Sequence, residues 1–397
     1  MQKSPAFTVA IDADGKDRFD FDVRGALASK RKHDLGIPAD QPLPAPWMLA
    51  IEPMMACNAR CNFCAFSEQR TRMRLQGADQ LRSGLPHDVV GEILESARTH
   101  GTKGTYWSGG GEPTLWAHFD EAITQCASFS DVFVQTNGTQ LDRFTATVEK
   151  LARFRLISVS VVGDSVSLND KIGMGSFARV SKNIAHVVEL KNTDNLKLEI
   201  NAKLIVTGEN HLRLPAIVRY YESLGVDTIS LRLAQNFAST NPDEAPFDSV
   251  GLSEVEKART LESIEQSSYA HPSLTAFKEV LSTPNNVLFP RTRKCYSASD
   301  GHIAYVTADG SVYIGTAEMA SQSLSIGNVL TAPWHQIWGG VRHLEVIEEM
   351  NRLQGAGQCP MHLCRHLKAN QGVEAFFDNR LAPLDADAIM SGLGAFL

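Results

Sequence analysis

Three cysteines, Cys57, Cys61 and Cys64, fall within eight residues at the spacing C-x-x-x-C-x-x-C. Three thiolates this close can face one cubane iron–sulfur cluster and leave its fourth iron without a protein ligand, whereas electron-transfer clusters are usually closed by four cysteines. An open iron can hold a small molecule in place of a side chain. Two plainer readings compete with this one. Cysteines are common core residues and can cluster by chance. A zinc site could also use the three thiolates, but a closed structural zinc site needs a fourth ligand nearby.

A second stretch, Ser108-Gly109-Gly110-Gly111-Glu112-Pro113, lies some way downstream. Glycines let a backbone approach a ligand closely, and Glu112 offers an acceptor for an ammonium group. A third stretch is Gln135-Thr136-Asn137-Gly138, for which the plain reading is a helix-entry turn. Lys171, Lys203 and Arg232 are candidate cations for an anionic group. Such a cation needs a charged partner inside a barrel and means little on a surface. Arg70, Arg72 and Arg74 form a basic run, which reads as a solvated face or as a contact for an anion or an electron donor. Cys126 falls in an expected outer helix and reads as a packed thiol.

The elements that must position these groups alternate. Apolar, strand-like runs occupy 47–52, 103–107, 132–135, 156–161, 196–206 and 228–232, and helical spacing occupies 86–99, 116–129, 144–154, 177–190 and 211–224. Short connections between them imply parallel strands with helices outside. The expected fold is α/β, a partial (β/α)6 barrel, with an open doubly wound sheet as the alternative. In a barrel the functional groups sit at the C-terminal ends of strands. The cysteine loop, the Gly-Glu-Pro segment, Thr136, Asn137 and Ser160 would then gather at one rim. Before the barrel, residues 1–45 hold a short strand near 7–11, a helix over 22–33, and an entry linker marked by Pro38, Pro42, Pro44 and Pro46.

With these motifs in place, the chain resembles the radical S-adenosylmethionine (SAM) enzymes. Phe63 before the last cysteine fits that signature, and Gly109 to Pro113 resembles the superfamily's G-G-E-P motif. The resemblance covers roughly residues 45 to 235. It implies a TIM-like partial barrel and a catalytic [4Fe–4S] cluster on Cys57, Cys61 and Cys64. The open iron would chelate S-adenosyl-L-methionine, whose reductive cleavage yields a 5'-deoxyadenosyl radical that abstracts a substrate hydrogen. It further implies that Gly110, Gly111, Glu112 and Pro113 hold the amino end of the cofactor. Thr136 and Asn137 would lie near its ribose or methionine part, and Ser160 matches a serine on the fourth strand. Lys171 and Lys203 become candidates for its carboxylate, and an electron donor such as flavodoxin or ferredoxin is an expected partner. Where relatives frequently continue as Leu-Asp-Gly, this chain has Val161-Val162-Gly163, with the acid displaced to Asp164. That residue's role is therefore not carried over.

After residue 235 the pattern changes. Residues 236–250 are rich in Asn, Asp, Pro and Ser, and Ser253 with Glu256 offers a capping box for a helix over 253–268. Between two β-type runs, Asp309-Gly310 signals a hairpin. Cys295, the hairpin, and the pair Cys359 and Cys364 resemble a SPASM or Twitch-type iron–sulfur domain. The match is partial: Tyr313-Ile314-Gly315 stands where relatives have a cysteine, and the last pair is C-x-x-x-x-C. A second, auxiliary [4Fe–4S] cluster on Cys295, Cys359 and Cys364 is the expectation, with Asp300, His302, His362 and His366 as candidate non-cysteine ligands. The expected division is an extension over 1–45, the barrel over 46–235, a linker and helix over 236–292, and the auxiliary-cluster domain over 293–397.

Composition sets the remaining limits. The formal net charge of -7 argues against non-specific nucleic-acid binding, and no apolar run reaches membrane-spanning length. Seven cysteines, clustered rather than spaced as a disulfide framework, suit metal binding in a reducing, cytoplasmic setting. The expected substrate is a small metabolite or natural-product intermediate, undergoing oxidation, rearrangement or epimerisation, chiefly because residues 1–45 are too short for a leader-binding domain. The alternatives are modification of a peptide or protein side chain, and an iron–sulfur electron carrier without catalysis. The Gly110 to Pro113 segment argues against a carrier, which needs no ammonium acceptor.

Overall fold

The computed structural model describes residues 10–11, 17–18, 21–64, 66, 84–144, 147–234, 252–282, 292–315, 322–356, 370 and 373–374. The strands are β1 (Ala10–Ile11), β2 (Asp17–Arg18), β3 (Met48–Ile51), β4 (Gly104–Trp107), β5 (Asp131–Thr136), β6 (Leu156–Val161), β7 (Glu199–Val206), β8 (Thr228–Leu233), β9 (Ile303–Val306), β10 (Ser311–Tyr313) and β11 (Gly327–Asn328). The helices are α1 (Phe21–Asp34), α2 (His87–His100), α3 (Phe119–Ala127), α4 (Leu141–Phe144), α5 (Val148–Leu151), α6 (Val166–Ile172), α7 (Phe177–Thr193), α8 (Leu214–Ser223), α9 (Glu254–Gln266), α10 (Pro272–Ser282), α11 (Tyr296–Ser299), α12 (Trp334–Ile337) and α13 (Val341–Ala356).

Strands β3 to β8 are neighbours in chain order, each parallel to the next. A doubly wound sheet reverses its order at a switch point; this one does not. The side chains agree. One face of the sheet packs against the helices in a large apolar core that includes Leu49, Trp107, Val134, Ile157 and Leu204. The other face forms a cluster from strands alone: Met48, Ala50, Tyr106, Phe133, Leu156, Ile303, Tyr305 and Tyr313. Helices on one face and strand side chains meeting on the other make a partial barrel, open at its edges.

Helix α2 shows why the periodicity was legible. Val90, Ile93, Leu94 and Ala97 are buried along one stripe, and Gly101 ends the helix in the left-handed region at φ 87° while donating to the Ala97 carbonyl. The helix expected over 144–154 is instead two short ones, α4 and α5. Thr147 caps α5 by accepting from the Lys150 N–H and so starts a new helix there. Helices α6 and α10 were not expected. The first is only seven residues long and the second follows a Pro at its first position. The capping box at Ser253 and Glu256 is present.

The β9–β10 hairpin turns at Asp309-Gly310, with Gly310 at φ 84°. Its first strand pairs in parallel with β3, Ile51 opposite Val306. The C-terminal hairpin thus continues the barrel sheet. At the other end, β1 and α10 lie against β8 and cover that edge. Among the described residues no helix is long and apolar enough to cross a membrane. Most of residues 7–11, the linker 236–250 and the basic run Arg70, Arg72 and Arg74 lie outside the described residues.

Candidate functional site

The cysteine loop leaves the end of β3 and is clipped on both sides. On one side the Arg60 N–H donates to the Gly173 carbonyl at 2.9 Å, and the Asn62 N–H donates to the Ile172 carbonyl at 3.0 Å. Gly173 ends α6 at φ 82°, and a side chain there would overlap the Arg60 carbonyl. On the other side the Glu112 N–H donates to the Ala56 carbonyl at 2.8 Å. A Cβ on Gly111 would strike the Ala56 carbonyl, and one on Gly110 would strike the Met55 side chain. The glycines therefore let the β4 loop pack onto the cysteine loop, where the sequence suggested close approach to a ligand.

Cys57, Cys61 and Cys64 are half-buried and none is in a disulfide. The Ala59 N–H donates to Cys57 Sγ at 3.4 Å, and Asn137 Nδ2 lies 3.9 Å from the same sulfur. Asn137 belongs to a closed ring of side chains. Its Nδ2 donates to Asn58 Oδ1 at 2.7 Å, Asn58 Nδ2 donates to Thr139 Oγ1 at 2.8 Å, and Thr139 Oγ1 donates to Asn137 Oδ1 at 2.6 Å. Asn58 and Thr139 were not singled out from sequence. Their only signal was a polar residue inside the cysteine spacing and another just after Gly138.

Glu112, expected to accept from an ammonium group, is 2% exposed and faces inward. Its Oε1 accepts from the Thr114 N–H at 3.3 Å, Thr114 Oγ1 at 2.6 Å and Thr136 Oγ1 at 2.7 Å, and its Oε2 accepts from the Asn137 N–H at 2.7 Å. Burial pushes its pKa up, and these hydrogen bonds oppose the shift. The carboxylate braces the end of β4 to the end of β5. Thr136 and Pro113 are buried with it.

Deeper in the barrel, Gln135 is a hub. Its Oε1 accepts from Tyr106 Oη at 2.8 Å and from Lys203 Nζ at 2.7 Å, and its Nε2 donates to Ser160 Oγ at 3.4 Å. Below it, Asn201 Nδ2 donates to Ser158 Oγ at 2.9 Å and to Ser230 Oγ at 3.1 Å. The interior along β6, β7 and β8 is polar, whereas along β3, β4 and β9 it is aromatic and apolar. Lys203 is 8% exposed within this wall. Lys171 is not gathered to it: its side chain is 64% exposed and pairs with Glu209. The displaced acid Asp164 pairs with Arg213 at 2.9 Å.

In the C-terminal region Cys295 is buried at the start of α11. Its N–H donates to Asn351 Oδ1 at 2.9 Å, and Asn370 Nδ2 lies 3.8 Å from its sulfur. Cys359, Cys364, His362 and His366 lie outside the described residues. Asp300, weighed as a ligand, is committed elsewhere: it accepts from Ser29 Oγ at 2.5 Å, Lys32 Nζ at 3.0 Å and Lys294 Nζ at 3.1 Å. Burial alone would raise its pKa, but the charges of His302, Lys294 and Lys32 and the Ser29 hydrogen bond bring it below the ordinary value. Burial holds His302 down to about 4. Cys126 is a packed core thiol, pushed up to about 12 by burial.

Comparison with known proteins agrees with this geometry. Residues 51–210 match the family model of the radical SAM superfamily. The chain is 25% identical over 205 residues to the tungsten-containing aldehyde ferredoxin oxidoreductase cofactor-modifying protein of Pyrococcus furiosus, covering 49% of this chain and 53% of that one. It thus spans about half the length of that curated relative. Streptococcus suis SuiB bound to S-adenosylmethionine superposes with a TM-score of 0.52 at 16% identity, covering 80% of this chain and 69% of that one. The structure of anSMEcpe with bound AdoMet gives a TM-score of 0.52 at 16% identity, covering 87% of this chain and 98% of that one. At these identities the likeness is one of fold. Residues 51–210 thus carry a radical SAM domain, and the parallel sheet and the cysteine spacing agree with it. Such a domain implies S-adenosylmethionine and a [4Fe–4S] cluster, and the spacing of Cys57, Cys61 and Cys64 is compatible with the latter. The N–H donors aimed at the Cys57 sulfur suit an anionic thiolate ligand.

Proposed function

We propose that this enzyme abstracts a hydrogen atom from a small polar metabolite. The observation behind the reading is the stacking of two layers: half-buried thiols at the rim, and Gln135, Ser160 and Lys203 in the interior beneath it. When bound, the reduced cluster and S-adenosylmethionine supply a 5'-deoxyadenosyl radical. Everything else falls to the chain's own residues.

Cys57, Cys61 and Cys64 would hold the [4Fe–4S] cluster. The Ala59 N–H and Asn137 Nδ2 stabilise charge on the Cys57 sulfur. The segment from Gly110 to Pro113, with Thr136 and Asn137, walls the cofactor's place beside the loop, and Glu112 keeps that wall rigid rather than touching the ligand. Ser160 would lie at the inner side of that place, and Lys203 and Gln135, joined by a hydrogen bond, would face the substrate. An ammonium and an amide in a largely desolvated interior suit an anionic or strongly polar group. The aromatic wall of Tyr106, Phe133 and Tyr305 keeps water away from the reacting atoms. A small redox protein would deliver the electron, and Cys295, Cys359 and Cys364 would hold an auxiliary cluster.

The Pyrococcus relative is named for modifying a cofactor, which favours a small-molecule substrate. Peptide modification is the second reading, because SuiB bound to its precursor peptide SuiA shares the fold with a TM-score of 0.54 at 16% identity. The test is anaerobic turnover of the reconstituted chain under reducing conditions. Deoxyadenosine should form, and deuterium should move into it from a labelled small polar candidate. No deoxyadenosine would sink the enzyme reading, while transfer from labelled peptides alone would replace the small-molecule reading with the second one.

A further inference from the structure

Outside the cysteine loop, one cluster of side chains among the described residues has the composition of a metal site. His118 is the N-cap of α3, and Glu121 lies three residues on in its first turn, so the two share a helix face. His87 opens α2. One donor atom from each of these three residues lies within 4.8 Å of the other two. His87 Nε2 is 3.3 Å from Glu121 Oε2, and the two imidazoles stack with centroids 4.4 Å apart at 22°. Two imidazoles and a carboxylate are the donor set of three-ligand zinc sites that keep a further position open.

Chain topology also puts these residues in a particular place. Helices α2 and α3 begin just after the loops that leave β3 and β4, so their first turns lie on the outer rim of the barrel. The rings have a rigid support there. Trp116 is 1% exposed and donates from its indole Nε1 to the Leu85 carbonyl at 3.1 Å. It meets the His118 ring edge-on at 5.4 Å and the His87 ring at 6.5 Å. Of the neighbouring acids, Asp120 faces away and pairs with Lys150 and Arg153. His118 and Glu121 are exposed and His87 half-buried, so an ion can reach them.

We propose that His87, His118 and Glu121 bind a zinc-type divalent ion on the outer rim, separate from the cysteine cluster. Nitrogen and carboxylate donors favour such an ion over magnesium or calcium. The positive ends of two helices oppose a cation there, and the Glu121 carboxylate offsets them. The expected binding is therefore weaker than at a closed structural zinc site. A bound ion would tie Leu85, where the chain returns from the cysteine loop, to Trp116, which follows the Gly-Glu-Pro segment.

The test uses the full chain, anaerobically reconstituted with iron and sulfide, then equilibrated with Zn2+ and freed of unbound metal. About one zinc per chain should remain, and its X-ray absorption edge should show a nitrogen and oxygen shell at about 2.0–2.1 Å. His118→Ala and Glu121→Gln should each weaken retention at least about tenfold, since even outer partners of metal ligands change affinity by about 10–100-fold. Iron content and far-ultraviolet circular dichroism, measured in parallel, should be unchanged in both variants. Absence of retained zinc in the parent chain, a sulfur shell around it, or undiminished retention in both variants would each overturn the proposal.

Discussion

Two cysteine neighbourhoods sit on one sheet and differ in kind. At the rim, Cys57, Cys61 and Cys64 are half-buried on a loop whose neighbours are neutral donors: the Ala59 N–H, Asn58, Asn137 and Thr139. Near Cys295, reached through β9 beside β3, the sulfur is 4% exposed. Close by, Asp300 pairs with buried Lys32 and half-buried Lys294, and His302 lies against Ser29. The rim loop is held by neutral hydrogen bonds, whereas opposite charges around Asp300 tie the C-terminal region to α1 through Ser29 and Lys32.

The sharpest way to break this contrast is to remove one sulfur from each side. Cys61→Ala should abolish deoxyadenosine formation and lower iron from about eight to about four per chain if both sites hold clusters. Cys295→Ala should lower iron similarly while leaving the rim cluster assembled. Equal loss of all iron from either variant would mean the two regions are not independent. A parent chain holding only about four irons would remove the auxiliary cluster altogether.

A smaller effect is expected at the joint. Asp300→Asn leaves two buried or half-buried ammonium groups without their carboxylate, a change that typically costs about 3–5 kcal/mol. Urea unfolding should register it, while the cysteine loop should still take up iron. An unchanged midpoint would show that the Lys32–Asp300 pair contributes little.

The smallest change concerns Glu112. Glu112→Gln places an amide where two backbone N–H groups and two hydroxyls converge, so at least one donor then faces a donor. The expected loss is about 1–3 kcal/mol of stability, with a fall in cofactor cleavage that follows from loosening the β4 and β5 ends. A variant of normal stability with only a raised KM for S-adenosylmethionine would instead mark Glu112 as a direct cofactor contact.

Much of this was readable in the chain. Parallel strands buried on both faces leave continuous apolar runs, so the six expected barrel strands fall within three residues of their observed ends. The cysteine spacing and the Gly-Glu-Pro segment were legible because their chemistry is written in contiguous residues. What lay beyond reach depends on residues far apart in sequence. That Glu112 accepts from the Thr136 hydroxyl turned on how β4 and β5 align. Gly173, an unremarked glycine after a helix too short to foresee, holds the cysteine loop through Arg60. Local pattern determines which segments become strands and which residues carry donors or thiols. Non-local pairing and burial alone decided that β9 would lie beside β3, that Lys203 would be enclosed while Lys171 met solvent, and that His87 would meet His118 and Glu121 across the rim.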